Sequence, residues 1–304
     1  MTQTKAQSAM TQSRLVSTLL AALLVLPAIG CAEAPDANAP ATRPAAADAE
    51  TDTASDANAA ATAPATRPRE LRTERSYWDR ARTQLRAERT FDGNVPHGTW
   101  VFYGPRGRKT MEVPFVHGKV QGTYKKYYDG TGRPLVFAEM RNDQPHGLTR
   151  RFYDLPDSPV EYEVPFKEGK QHGTLKRYSD KGIVVRETPY VEGTVEGIER
   201  EYHRSGRLRA EIPYKGGRKH GVEKVYTRGK RLIWTKPWVQ GKLHGVVKAY
   251  RPDTGRVHSE ERYVHGEKVS AVFYDEAGNI VSQTQPVTQP ATDPATQPAT
   301  GPAE

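Results

Sequence analysis

Cysteine is nearly missing from this sequence: Cys31 is the only one in 304 residues. A single thiol excludes internal disulfides and any cysteine-based zinc cage. Long hydrophobic runs are missing too. Only 36% of residues are hydrophobic against 27% charged. The longest apolar stretch, Leu15 to Ile29, falls short of the about 20 residues that a membrane-spanning helix needs. There is no serine in a nucleophile elbow and no glycine-rich strand–loop–helix. No catalytic residues, cofactor or metal are therefore expected, and the chain does not read as an enzyme. What is plentiful is glycine (26), proline (23) and tyrosine (15). That composition favours many short strands and turns over a thick helical domain.

The net charge of +9 is unevenly spread. Residues 1–30 contribute +2, 31–67 contribute −4 and 282–304 contribute −2, so 68–281 carry +13. A basic middle sits between two mildly acidic ends. Such an excess suits anionic partners in general, without choosing among polymer, headgroup and acidic protein.

Residues 1–30 read as a targeting segment. Lys5 and Arg14 make a positive start, an apolar stretch follows, and it closes on Ala28-Ile29-Gly30-Cys31. This arrangement resembles a bacterial lipoprotein signal, in which a small residue precedes the cysteine that becomes acylated. The usual leucine three places before the cysteine is Ala28 here. The resemblance implies lipidation at Cys31 and attachment to a membrane of the cell envelope. Ala32 lacks the aspartate that holds many such proteins at the inner membrane, which implies the outer one. Nucleic acid is not an expected partner of an exported chain.

Residues 31–68 are alanine, threonine, proline and aspartate, with Pro-Ala-Thr-Arg-Pro at 40–44 and again at 64–68. Residues 284–304 repeat the theme as Pro-Ala-Thr steps from Pro290 to Pro302. Neither segment carries enough apolar surface to offset its ordering entropy, so both are expected to be extended, disordered spacers.

Between them the sequence repeats. Gly98, Gly122, Gly147, Gly173, Gly197, Gly221 and Gly245 recur at intervals of 24, 25, 26, 24, 24 and 24. Five residues after each stands an aromatic: Tyr103, Tyr127, Phe152, Tyr178, Tyr202, Tyr226 and Tyr250. Three after each come Val101 and then Lys125, Arg150, Lys176, Arg200, Lys224 and Lys248. A second bulky row runs Phe91, Phe115, Met140, Phe166, Tyr190, Tyr214, Trp238, Tyr263. Several rows in one phase make a repeat architecture.

The unit Gly98-Thr-Trp100-Val-Phe102-Tyr103 resembles the bacterial variant of the MORN repeat, and later units keep the glycine and the aromatic but lose the tryptophan. The resemblance covers roughly residues 74–283. It implies an all-β fold: an elongated single-layer antiparallel sheet of tandem β-hairpins of about 24 residues, with no shared catalytic activity. Some relatives carry an antitoxin-like label, which an export signal argues against.

The residues give a register independently. Ser205-Gly206 reads as a two-residue hairpin turn, pairing Arg204 with Arg207, Arg200 with Glu211 and Gly197 with Tyr214. The same count around Lys181-Gly182 pairs Lys176 with Glu187 and Gly173 with Tyr190, and around Arg106-Gly107 it pairs Gly98 with Phe115. A three-residue loop Asp253–Gly255 pairs Lys248 with Glu260 and Gly245 with Tyr263. An aromatic opposite a glycine covers bare backbone and pins register. The sixth unit breaks the count by two, which predicts a bulge near Thr235–Pro237.

Between units, Gly118, Gly169, Gly193, Gly217 and Gly241 supply a left-handed turn residue, with Asn94 and Asp143 standing in where glycine is missing. Prolines 114, 165, 189, 213 and 237 are expected to end each ladder. The repeat domain is placed at 69–283, with worn hairpins at 74–91 and 270–283. A capping helix on Leu71, Trp78 and Leu85 is the alternative at the first end.

Five histidines, His97, His146, His172, His220 and His244, precede repeat glycines. Equivalent positions lie two strands apart, roughly 9.6 Å, too far to share a metal, so they read as polar turn residues. The cation row from Lys125 to Lys248 has two readings. It is either a strip for an anionic polymer or headgroup, or a set of cross-strand pairs with glutamates. Lys125 and Lys224 face Phe137 and Ile233 in this register and are expected to lack such partners. The functional expectation is a non-catalytic, lipid-anchored binding or scaffolding module of the envelope. Direct electrostatic docking on anionic lipid or glycan is the alternative.

Overall fold

The computed structural model of the chain describes residues 71–284. The segments 1–30 and 31–68, Cys31 and the tail from Gln285 lie outside the described residues. Twenty-four strands form one open antiparallel sheet built of successive hairpins, and every regular element among the described residues is a strand. Leu71–Tyr77 and Leu85–Asp92 pair as a hairpin ahead of the seven glycine-marked units, from which the hairpins are counted, so no capping helix forms there. The Asp79 carboxylate holds its turn by accepting from the Thr83 and Gln84 amides. The Thr83 hydroxyl, which donates to the same carboxylate at 2.7 Å, and then these amides draw the Asp79 carboxyl down to about 2.

The fifth unit shows how each is made. It consists of Thr194–Val195, Gly197–Tyr202 and Leu208–Lys215. Gly197 pairs with Tyr214 and Arg200 with Glu211, as expected. The turn between them is not the expected one. Gly206 N–H donates to His203 and His203 N–H to Arg207, so the loop is three residues, Arg204 to Gly206, and Arg204 does not pair with Arg207. The register further down survives because the strands slip by one residue between Glu201 and Tyr202, leaving Arg209 unpaired. One extra loop residue is cancelled by one bulged residue. The hairpins at Gly107 and Gly182 do the same. The loop before Arg256 is four residues rather than three, again offset by one bulge.

This also corrects the sixth unit. Its left-handed residue is Lys230, φ 66°, not Gly229. Gly221 pairs with Trp238 and Lys224 with Thr235, and the slip lies between Val225 and Tyr226 as in its neighbours. No bulge is needed at Thr235–Pro237. The count failed because a lysine occupies the position that glycine marks elsewhere.

The connections between units are two-residue turns with both residues left-handed, such as His117-Gly118 and Glu192-Gly193, the geometry that matches strand twist. Asp143 fills its position at φ 68°, but in the first unit Gly93 is left-handed and Asn94 is not.

The prolines do not end the ladders; they lie inside the long second strands. Proline brings no N–H, but its carbonyl accepts the amide just before the next glycine, as Glu196 gives to Pro189 and His220 to Pro213. The strand then bends at a glycine of φ near +106°. A Cβ on Gly197 would sit 3.4 Å from Pro189 Cγ, and one on Gly173 would sit 2.9 Å from Pro165 Cγ. The glycine row is thus required by its positive φ, and at Gly173, Gly221 and Gly245 also by the proline crowding it from behind, whereas Gly98 and Gly147 meet Thr90 and Glu139 there; the aromatic merely faces the glycine across the ladder.

One face holds the core. Trp100, Val113, Tyr124, Ala138, Val164, Leu175, Ile212 and Val247 are buried. Phe91 and Phe115 flank the Trp100 ring at 5.2 and 4.6 Å. Each hairpin buries its band against its neighbours, the nearest-neighbour cohesion of a repeat protein.

Candidate functional site

The cation row lies on the face opposite this core, and strand pairing extends it across every hairpin. From the first strand the directly opposed residues run Arg75, Glu88, Val101, Glu112, Lys125, Phe137, Arg150, Glu163 and Lys176. They continue Glu187, Arg200, Glu211, Lys224, Thr235, Lys248, Glu260, Val272 and Gln283. Cations and glutamates interleave because the first strand of each unit supplies the cation and the second strand supplies the acid.

Ion pairs follow: Lys248 to Glu260 at 2.9 Å, Arg150 to Glu163 at 3.5 Å and Arg200 to Glu211 at 3.7 Å. Lys125 is not unpartnered. It lies 3.6 Å from Glu112 of the preceding hairpin and 5.8 Å over the Phe137 ring. Lys224 faces Thr235 rather than Ile233, and its other neighbour in the row is Glu211. Counting within a hairpin missed these because it ignored the strand on the other side.

The aromatic row locks the acids in place. The Tyr178 hydroxyl donates to Glu163 and that of Tyr202 to Glu187, both at 2.7 Å, and Tyr226 reaches Glu211 at 3.1 Å. Burial first, then these carboxylates, push Tyr178 and Tyr202 up to about 12. Phe152 has no hydroxyl and meets Phe137 instead, at 5.0 Å. Tyr103 bonds Glu88, and Tyr250 meets Thr235. Tyr127 faces Phe137 edge-on at 6.1 Å.

Five further cations sit at the hairpin tips, where arginines donate to the next unit's turn carbonyls. Arg207 bonds the Arg228 carbonyl, Arg251 that of Tyr274 and Arg256 that of Glu276. Arg231 bonds Pro252 and Asp253, and Arg108 bonds Gly130. These cations staple units together, a role that composition alone could not show.

The histidines meet the next inter-unit turn rather than each other in series. His97 and His117 rings lie 5.6 Å apart, His244 and His265 5.1 Å apart, and His172 Nδ1 lies 3.3 Å from Glu192. Among the described residues no group of three or more His, Cys, Asp or Glu side chains is placed to hold a metal. No helix among them is long and apolar enough to cross a membrane.

The core face carries polar groups that the sequence reading passed over. Glu199 and Glu223 are buried at the position Trp100 holds in its unit. Glu223 is bonded by Lys219 and Trp238 Nε1, each at 3.0 Å, and Glu199 by Thr188 at 2.7 Å. Nearby, Glu201 takes Arg186 at 2.5 Å and Arg209 at 3.2 Å. The signal available in the sequence was the glutamate two residues after Gly197 and Gly221, where other units have Trp, Tyr, Thr, Leu or Val.

A family model described as MORN repeat variant matches residues 195–215, the fifth hairpin described above, and supports a MORN-repeat protein. No curated protein matches the chain. A solved structure titled "Crystal Structure of TcdB2-TccC3-Cdc42" is similar over 68% of this chain at 13% identity, with a TM-score of 0.20. The chain spans 13% of the length of that structure's chain.

Proposed function

We propose that this chain is a non-catalytic repeat scaffold of the cell envelope, tethered through an acylated Cys31 and binding a protein partner along its sheet. MORN-type hairpins and an open β-repeat sheet fit a scaffold or binding protein. The observation that carries the choice of partner is the transverse row from Arg75 to Gln283. Seven cations share it with six glutamates, so the repeated face is nearly neutral and mixed in sign. A polyanion or an acidic bilayer gains little from such a face, whereas a protein surface with its own mixed charges and aromatics can match it.

The test has two arms. Acyl labelling and fractionation should show wild type labelled and membrane-bound, with Cys31→Ser unlabelled and released. The released variant should then fail to float with acidic vesicles at low salt. An unlabelled but membrane-bound wild type sinks the anchor. Flotation that collapses near 0.5 M salt, where the Debye length is about 4 Å, replaces protein binding with electrostatic docking.

A further inference from the structure

We propose that the cleft at the tips of the fourth and fifth hairpins binds one tetrahedral oxyanion, the phosphate monoester of a small molecule. This site lies apart from the cation row and does not rest on anchoring through Cys31.

The observation begins with a break in the repeat. On the core face, a second transverse row reads Ala87, Phe102, Met111, Lys126 and Val136 toward one end. It reads Ala210, Val225, Trp234 and Ala249 toward the other. Between them stand Arg151, Tyr162, Arg177, Arg186 and Glu201. Equivalent positions of a repeat meet equivalent structural demands. A run of arginines confined to the middle units answers something local.

Those arginines are also placed at a cost. Arg177 and Arg186 are direct cross-strand partners, and like charges directly opposed destabilise a sheet. Arg186 is compensated by Glu201, but that carboxylate is shared with Arg209. Arg177 is half-buried and, among the described residues, makes no ion pair. Arg204, in the tip of the fifth hairpin, makes none either.

These groups converge. Arg177, Arg186, Arg204 and Arg209 line one open cleft of about 370 Å³ together with Ser179, Asp180 and Glu201. Four guanidinium groups against two carboxylates leave a formal charge of +2, the complement of a monoester dianion. Guanidinium forks suit tetrahedral oxyanions because two parallel N–H groups meet two oxygens. Ser179 Oγ accepts from the Lys181 and Ile183 amides, which leaves its own proton to donate. The volume admits a small phosphorylated molecule. Along this row Tyr162 and then Arg151, which is paired with Glu161 at 2.9 Å, lie on one side and the uncharged Ala210 and Val225 on the other, so a longer polyanion finds no continuous run of free cations.

The test uses the full-length chain, with thermal melts and titration calorimetry against inorganic phosphate, inorganic sulfate and glucose 6-phosphate. Sodium chloride at matched ionic strength is the control. The oxyanions should raise the melting temperature and chloride should not. Arg177→Gln should weaken binding roughly tenfold or more, as loss of one charge-assisted contact implies. The same variant, free of ligand, should melt higher than wild type because its repulsion from Arg186 is gone; an arginine with a merely structural role would melt lower. Arg204→Gln, at an exposed tip, should weaken binding without that gain, and Lys126→Gln in the same row should bind as wild type does. Equal oxyanion response in wild type and Arg177→Gln overturns the proposal. So does binding of a sulfated polysaccharide without any response to the monoester.

Discussion

The Tyr202 hydroxyl donates to the Glu187 carboxylate at 2.7 Å, joining two hairpins fifteen residues apart in sequence. Tyr178 does the same to Glu163. Each glutamate is thereby held between a cation on its strand neighbour and a phenol from the next unit. Tyr202→Phe keeps the ring and removes only the bond, so it should destabilise by about 1 kcal/mol, measured by denaturant unfolding. Phe152→Tyr should gain nothing, because Phe137 stands where the acid would be.

The same phenols set an alkaline limit. Tyr124, Tyr178, Tyr202 and Tyr214 are each pushed up to about 12, burial being the first cause in all four. An unfolded tyrosine ionises near 10. A raised folded value favours the native state fully below about 10, and that advantage is lost as pH climbs toward 12. Melting temperature should therefore fall from about pH 10 upward, with phenolate absorbance rising in step. A flat profile through this window would show that these hydroxyls are not confined as described.

A prediction about Lys230 tests the corrected turn. Its φ is 66°, where six other hairpin loops use Gly107, Gly132, Gly182, Gly206, Gly255 and Gly278. Left-handed backbone costs a non-glycine residue roughly 1 kcal/mol, so Lys230→Gly should stabilise by about that amount. Gly229 is not left-handed, and a Cβ there meets only Thr227 Oγ1 at 3.6 Å. Gly229→Ala should be neutral or slightly stabilising. Large destabilisation by Gly229→Ala would restore a turn centred one residue earlier.

Much of the architecture was legible because several rows share one phase. Gly197 facing Tyr214 and Lys176 facing Glu187 follow from counting outward from a turn. That count assumed the wrong turn and succeeded through cancellation: the loop is one residue longer, and Arg209 or Val185 bulges out to restore the pairing. A bulge leaves no compositional mark, so it could not be read. The partners of Lys125 and Lys224 were missed for a different reason. Glu112 and Glu211 belong to the preceding hairpin, and pairing between units depends on the two-residue turn together with the shift introduced at the glycine beyond it, which no turn count includes. The cleft at Arg177 escaped notice because its four arginines come from two hairpins and both sides of a bulge.

The bend itself can be dissected. Gly173→Ala should destabilise by about 2 kcal/mol or more, since φ is +108° and the new Cβ would lie 2.9 Å from Pro165 Cγ. Pro165→Ala should recover part of that loss by removing the clash while leaving the backbone strain. A double-mutant cycle from unfolding curves gives the coupling. No coupling would mean that the proline ring does not press on the glycine.

Charge reversal at Lys224 asks whether the transverse row is coupled across units. Its row neighbours are Glu211 on one side and Thr235 on the other, so Lys224→Glu sets two carboxylates side by side with one neutral neighbour to relieve them. Exposed cross-strand pairs are worth roughly 0.2–1 kcal/mol, and a reversal both removes the attraction and adds repulsion, so a loss of about 1 kcal/mol is expected. Lys126→Glu, on the other face beside Met111 and Val136, has no such neighbour and should cost clearly less. Salt separates the two effects further: raising it should shrink the Lys224→Glu penalty while leaving Lys126→Glu nearly unchanged. If both variants lose the same stability and respond alike to salt, the row is not held together electrostatically. Its cations would then be free for an external anion, and a polyanion would displace protein as the expected partner of this face.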